Sequence, residues 1–186
     1  MNVAVCSTLT NTLLNNMKKK NFLLLLFVAL LQFPQLAHAQ AYDGDDDRKL
    51  FLGYLNFGGR SGFEIGYDTG FSDEFSIALY GSMIPKSGDD SYDMIRGYDL
   101  GAQFNFHWAY ILKLPSKLDI YMGPKISFSN GGIGAGVRYN FSENWGLYAY
   151  SQQNFFTIFD SNFEDEGYSP YHNKFGISVG ITFSFF

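Results

Sequence analysis

The last thirteen residues of the chain, KFGISVGITFSFF, alternate between bulky apolar and small or polar positions. One parity is entirely apolar: Phe175, Ile177, Val179, Ile181, Phe183 and Phe185. A period of two is that of a β-strand, whose successive side chains point to opposite faces. The stretch is about twice as long as the usual strand of ~5–6 residues, and a tilted strand crosses a bilayer with about 9–11 residues. The pattern therefore predicts a membrane-spanning strand with its bulky face toward lipid.

Similar stretches recur upstream and are separated by clusters of glycine, asparagine, aspartate and serine, which predict turns. Pro124 lies inside one of them and removes a ladder donor, so we expect a β-bulge there. The first and seventh stretches do not reveal which face is apolar. Eight strands are predicted, at residues 49–57, 62–70, 75–84, 95–108, 118–128, 133–139, 145–158 and 174–186.

The N-terminal segment predicts export. Lysines 18–20 follow Met17, ten apolar residues follow at 22–31, and Ala37-His38-Ala39 is a small-residue cleavage site. Ten apolar residues fall short of the ~20 that a membrane-spanning helix needs. We therefore expect an upstream extension plus a cleaved signal peptide at 1–39 with its true start at Met17, an acidic periplasmic lead-in at 40–48, and a β-barrel domain at 49–186.

Composition agrees with a barrel and excludes other classes. Aromatic residues make up 19% of the chain, with 20 glycines and five prolines, which suits aromatic girdles and a glycine-lined interior. Without lysines 18–20, ten basic residues face eighteen acidic ones, and ten minus eighteen gives a formal charge of −8. An acidic chain without a basic stripe argues against nucleic acid as a partner. Cys6, the one cysteine, lies in the predicted extension, so no internal disulfide is expected.

The acidic lead-in offers one candidate metal site. Asp43, Asp45 and Asp47 are spaced like alternate ligands of a calcium loop. The glycine of the sharp turn and the closing bidentate glutamate of such loops are missing. We therefore predict a solvated segment and no metal site.

The alternating final strand, its terminal aromatic residues and the even strand count resemble the small eight-stranded bacterial outer-membrane β-barrels of the OmpX and OmpA transmembrane-domain type, with a Bacteroidota-like character. The resemblance implies an all-β fold, an eight-stranded antiparallel up-and-down transmembrane β-barrel in the cell outer membrane. It further implies a monomer that contacts outer-membrane lipids and has no cofactor. The barrel-assembly machinery would read the C-terminal strand.

Connection lengths predict the orientation of such a barrel. With both termini in the periplasm, the connections at 71–74, 109–117 and 141–144 are periplasmic, and the long polar ones at 85–93 and 160–173 face outside. Short periplasmic turns and longer external loops are typical of these barrels. The turns at 71–74 and 141–144 share a Phe-Ser-acid sequence, which supports the assignment.

The inward parity of the predicted strands carries several charged and amide side chains. An eight-stranded barrel is just wide enough for side chains to fill it, and buried charges persist only when paired. We therefore expect a closed plug in which Lys125 and Arg138 share the carboxylates of Glu64, Asp99 and Asp119. A proton or ion path is the alternative. The predicted lumen network comprises Glu64, Asp99, Gln103, Asp119, Lys125 and Arg138, with Asp68 and Asn140 also facing inward.

A catalytic site is not predicted. His107 lies at the narrow periplasmic end, and His172 lies near Ser169 and the acidic residues 164–166 without a spaced nucleophile motif. We expect a non-enzymatic outer-membrane protein with an envelope-structural or surface-interaction role and an unidentified external ligand. A narrow pore for small solutes and a lipid A-modifying barrel enzyme are the alternatives.

Overall fold

A computed structural model of the chain describes residues 40–85, 97–158 and 169–185. The predicted signal peptide, Phe186 and most of the two predicted external loops lie outside these residues. In the described part, no helix has the length and apolar character needed to cross a membrane. The eight strands are β1 Arg48–Phe57, β2 Arg60–Gly70, β3 Phe75–Met83, β4 Tyr98–His107, β5 Leu118–Ser127, β6 Asn130–Asn140, β7 Trp145–Thr157 and β8 Phe175–Phe185.

The strands form a closed, up-and-down barrel in chain order, which confirms the predicted fold. Every ladder is antiparallel, and β8 pairs with β1 from Arg48↔Phe185 to Phe57↔Gly176. Closure leaves no sheet edge, so every strand has hydrogen-bonding neighbours on both sides.

Polarity is reversed relative to a water-soluble protein. Large apolar side chains lie exposed on the outer surface, for example Leu79 at 60% and Val179 at 50% exposure, whereas most charged side chains of the strands are buried. The pattern also settles the first and seventh strands: Lys49 and Tyr148 point inward, Leu52 and Leu147 outward. The alternation in the sequence is therefore the alternation between lumen and outer face.

The barrel has two different ends. The terminal end carries the first residue of β1, the last residue of β8 and the connections at 71–74, 108–117 and 141–144. The loop end carries the turns at 58–59 and 128–129 and the two long connections. Gly58 and Gly59 have φ of 55° and 88°, as a two-residue type I′ turn requires, and side chains with a Cβ rarely adopt these values.

The two Phe-Ser-acid turns are alike in structure and lie at the same end, as predicted. In each, the serine hydroxyl accepts a hydrogen bond from the N–H three residues later, at 3.1 Å for Ser72 and 3.0 Å for Ser142. The N–H of the leading phenylalanine bonds the carbonyl four residues later, at 3.1 Å in both turns. The shared sequence therefore encodes a shared turn geometry.

The predicted bulge at Pro124 is wrong. The β4–β5 ladder keeps one register on both sides of Pro124, from Gln103↔Lys125 to Phe106↔Met122, and lacks only the pairs between them. Proline removes one donor but adds no residue, so pairing is interrupted without a shift. The irregularity lies instead between Gly131 and Gly132 in the β6–β7 ladder. The hairpin predicted at 129–132 is also displaced, since β6 already begins at Asn130.

Candidate functional site in the barrel interior

A buried charge cluster fills the lumen near the terminal end. Arg138 on β6 donates from Nη2 to Asp68 Oδ2 on β2 at 2.7 Å, and its Nη1 lies 3.9 Å from Asp47 Oδ2. Lys49 on β1 donates to Asp47. All four side chains are almost completely buried. Charges so deeply buried depend on their partners, because each ion has lost its hydration.

The predicted partner of Arg138 is therefore wrong. We expected Arg138 to share Glu64, Asp99 and Asp119, but its ion pairs are with Asp68 and Asp47. Asp119 lies directly opposite Arg138 in the β5–β6 ladder, yet its carboxylate binds His107. Asp119 thus pairs with a neighbouring strand, whereas Arg138 pairs with a strand across the lumen.

A hydrogen-bonded row connects three adjacent strands beside this cluster. His107 on β4 contacts Asp119 Oδ2 on β5 through Nδ1 at 2.7 Å and Ser76 Oγ on β3 through Nε2 at 2.9 Å. Asn105 donates to the same serine oxygen at 3.2 Å and binds Gln103. Serine, histidine and aspartate have the connectivity of a hydrolase triad. However, Ser76 has 0% of its surface exposed, so its oxygen has no surface on which a substrate could sit.

Residues 40–47 close the terminal end of the barrel. Tyr42 stacks on the His107 ring, with centroids 3.5 Å apart and planes 4° from parallel. Its hydroxyl shares its one proton between the carbonyl oxygens of Ser72 and Phe75, which lie 2.7 and 2.6 Å away. Burial and the carboxylates of Asp68 and Asp119 raise the pKa of this hydroxyl well above its ordinary value. The segment is therefore a cap on the lumen, which we name the N-terminal cap.

The expectation of a solvated lead-in at 40–48 is accordingly wrong for four of its nine residues. Ala41, Tyr42, Gly44 and Asp47 are buried, whereas the aspartates at 43, 45 and 46 remain exposed. Ala41 N–H donates to Ser116 O at 2.7 Å, and Asn140 Nδ2 donates to Gln40 O at 2.7 Å. The density of charge in this segment suggested solvation. The end of the barrel, however, provides hydrogen-bonding partners for the backbone of the segment.

Replacing Tyr42 by phenylalanine tests the cap. We expect Tyr42→Phe to lower the free energy of unfolding by about 1–2 kcal/mol, because two carbonyls lose a buried donor. Urea unfolding of the refolded barrel measures the loss. Tyr54→Phe is the matched control: its hydroxyl contacts Ser61 on the exposed surface, so its effect should stay within about 0.5 kcal/mol. Equal effects of the two substitutions would contradict the structural role of the cap.

Aromatic rings fill the middle of the lumen. Tyr121, Tyr148 and Tyr150 form a buried cluster against Phe51. A Cβ at Gly134 would overlap the Tyr150 hydroxyl. Glycine at this position of the barrel wall therefore leaves room for the tyrosine ring. The cavity among these rings and the neighbouring charges has a volume of only about 20 Å³. That is close to the space one water molecule needs.

The predicted residues nearer the loop end lie in the lumen but do not form the expected ion pairs. Lys125 donates to Gln152 and lies 3.9 Å from the Tyr80 ring centroid. Among the described residues it has no ion pair within 4.0 Å. Glu64 accepts from the Tyr148 hydroxyl at 2.7 Å, and Asp99 accepts from the Ser129 N–H at 3.1 Å. Amides, hydroxyls and an aromatic face therefore replace the expected charge pairs.

An apolar cluster closes the loop end. Leu55, Phe57, Ile84 and Tyr171 are each at most 2% exposed and pack together inside the barrel. Tyr171 belongs to the short 3-10 helix Pro170–His172 in the last connection. Its ring meets the Phe57 ring edge to face, with centroids 5.4 Å apart. The lumen is thus closed at the terminal end by the N-terminal cap and at the loop end by Tyr171 packed on residues of the wall.

The contributors to this interior that were missed from the sequence include the N-terminal cap, the His107–Asp119 contact, the inward Lys49 and the apolar closure around Tyr171. Only the placement of His107 and Asp119 on inward positions of neighbouring strands could have indicated the second. No group of three or more histidine, cysteine, aspartate or glutamate side chains in the described ranges could hold a metal ion.

Comparisons with known proteins support the fold. The crystal structure of the N-terminal β-barrel domain of Pseudomonas aeruginosa OprF is similar, with a TM-score of 0.52 and 12% sequence identity over 77% of this chain and 100% of that one. At this identity the likeness shows the β-barrel fold and nothing more specific. No curated protein matches the sequence. The family of unknown function DUF6646 matches residues 32–185, and the chain belongs to this family.

Proposed function

We propose that the protein is a non-enzymatic barrel of the bacterial cell outer membrane, a closed structural element of the envelope that presents external loops to a surface partner. The observation that carries this proposal is the reversed polarity of the barrel wall. An outer band of leucine, isoleucine, valine and phenylalanine surrounds a lumen of buried charges. Such a wall is stable where hydrocarbon replaces water outside.

The dimensions of the strands support a membrane setting. Seven of the eight strands span nine to eleven residues and β7 spans thirteen, which is enough for the ~9–11 residues of a tilted membrane strand. Aromatic residues collect at the terminal end, where Phe75, Phe106 and Trp108 follow one another with centroids 4.9–5.1 Å apart. Belts of this kind mark the membrane–water interface of barrels.

The filled lumen favours a structural role over a pore. Its central cavity of about 20 Å³ is too small for a hydrated solute, and the N-terminal cap and the cluster around Tyr171 cover its two ends. A lipid A-modifying enzyme would need a nucleophile within reach of the outer leaflet. Ser76 lies at the terminal end, which we assign to the periplasm, and it is fully buried.

Surface interaction would rest on the long connections at the loop end. The connection between β7 and β8 contains Asp160, Glu164, Asp165 and Glu166, and the one between β3 and β4 contains three further aspartates. These segments are acidic, so a partner with basic groups is favoured electrostatically.

Heat-modifiable migration tests the membrane barrel. The chain refolded in detergent should migrate on a denaturing gel differently before and after boiling, because a closed barrel resists the detergent until it is heated. A protein that is recovered as a soluble monomer without any detergent would contradict the proposal.

Two further measurements separate the alternatives. In planar bilayers we expect no single-channel conductance from the intact chain, and a steady conductance would favour the pore. Mass spectra of lipid A from a deletion strain should match those of the parent, whereas a gained or lost acyl chain would favour the enzyme. The envelope phenotype of the same strain reports the structural role.

A further inference from the structure

The connection between β4 and β5 differs from the other turns at the terminal end. Leu112 N–H bonds Trp108 O at 2.9 Å, Lys113 N–H bonds Tyr110 O at 3.2 Å, and Leu114 N–H bonds Ala109 O at 2.9 Å. This is a single helical turn closed by a Schellman arrangement, in which Lys113 takes the left-handed conformation with φ of 51°. The turn therefore has a fixed shape although it lies outside the strands.

The fixed shape holds three consecutive apolar side chains at the surface. Tyr110 is 79% exposed, and Ile111 and Leu112 are each 52% exposed. Adjacent large apolar residues on a turn are unfavourable in water, and an exposed apolar patch marks a contact with another surface. The matching turns at 71–74 and 141–144 each expose one phenylalanine beside acidic residues.

The patch continues the aromatic belt of the outer wall. Trp108, the residue directly after β4, meets Phe106 edge-on at 4.9 Å, and Phe106 lies 5.1 Å from Phe75. Tyr110 and Ile111 come next along the chain. The lipid-facing wall thus extends past the strand end into the turn, where a water-exposed turn would ordinarily be polar.

The charge of the turn differs from that of its surroundings. Residues 108–117 contain Lys113 and Lys117 and no acidic residue. Asp43 and Asp73 face the cavity of about 630 Å³ behind the turn, and neither lies within 4.0 Å of Lys113. Basic residues beside an apolar patch are attracted to anionic headgroups.

We propose that residues 108–117 form an interfacial anchor that lies in the headgroup region of the phospholipid leaflet at the terminal end and binds anionic phospholipid. This inference rests on the proposed membrane function and adds to it a specific contact. Apolar side chains enter the acyl boundary, and Lys113 and Lys117 lie at the depth of the phosphates. The anchor is on one side of the barrel, next to β4 and β5.

Fluorophores on single cysteines test the anchor. In the full chain with Cys6→Ser, a fluorophore is attached at Ile111→Cys, at Leu79→Cys on the mid-wall of β3, or at Glu143→Cys in the acidic turn of the same end. The barrel is reconstituted into vesicles of phosphatidylcholine and phosphatidylglycerol, one of which carries brominated acyl chains. We expect brominated lipid to quench the fluorophore at positions 111 and 79 and not at position 143.

The outcomes separate this inference from the function on which it rests. Quenching at Leu79 with none at Ile111 overturns the anchor and leaves the membrane barrel intact. Absence of quenching at both positions overturns both.

A comparison of the two brominated lipids tests the preference for an anionic headgroup. At Ile111, brominated phosphatidylglycerol should quench more than brominated phosphatidylcholine. The ratio should fall to one in the variant with Lys113→Asn and Lys117→Gln, since asparagine tolerates the left-handed conformation at residue 113. A ratio of one in the parent chain would overturn the anionic preference.

Discussion

Arg138→Ala is expected to lower the free energy of unfolding by about 3–5 kcal/mol, because it leaves Asp68 and Asp47 charged and buried with one partner fewer. Arg138 is 3% exposed, so water cannot replace the lost contacts without entering the lumen. The urea midpoint of the refolded barrel measures the loss.

A second substitution in the same chain identifies the partner. Asp68→Asn should restore part of the stability lost in Arg138→Ala, since the amide removes the unpaired charge at 2.7 Å from the missing guanidinium. Glu64→Gln is the matched control, because Glu64 accepts instead from Tyr148 and should rescue nothing. Rescue by Glu64→Gln alone would mean that the ion pair is assigned to the wrong carboxylate. Unchanged stability together with a new conductance in Arg138→Ala would favour a wet channel.

Val179→Arg is expected to destabilise the membrane-inserted barrel by about 2–4 kcal/mol, the range for a basic side chain facing lipid at the bilayer midplane. Val179 lies midway along β8, between Tyr54 of β1 and Ala149 of β7, and half of its surface is exposed on the outer wall. Folding into vesicles in a urea series gives the free energy.

Depth supplies the control for this prediction. Phe175 has the same outward parity but lies at the loop end of β8. The charge introduced by Phe175→Arg should therefore lower the free energy of unfolding by only about 0–1 kcal/mol. Equal losses at residues 175 and 179 would show that no hydrocarbon surrounds the barrel.

The barrel itself could be predicted because its signals are local. Alternation along β8 specifies the lumen and outer faces without any tertiary information, and the turns at 71–74 and 141–144 encode the same geometry twice. Strands that are consecutive in the chain usually pair with each other, and most of these connections are short. The same alternation predicted that all six residues of the lumen network point inward.

The partners inside the lumen could not be predicted, because parity gives the face of a residue and not its height or its position around the barrel. The stagger of strands around a barrel determines these. It brings Asp68 of β2 to Arg138 of β6, and it turns Asp119 toward His107 on the neighbouring strand. The N-terminal cap escaped prediction for a related reason, since Tyr42 finds its stacking partner only once β4 is in place.

The ladder between β1 and β8, which we call the seam, should form more slowly than the hairpins of this barrel. Seven ladders join strands that are consecutive in the chain, whereas the seam joins Arg48 to Phe185. Contacts between residues so far apart form slowly, because the entropy of loop closure must be lost first. Until the seam closes, the side chains of Arg138 and Lys49 remain in contact with solvent; afterwards they are enclosed together. Assembly should therefore pass from an open, hydrated sheet to the finished cylinder in one cooperative step, with no stable half-closed state between them.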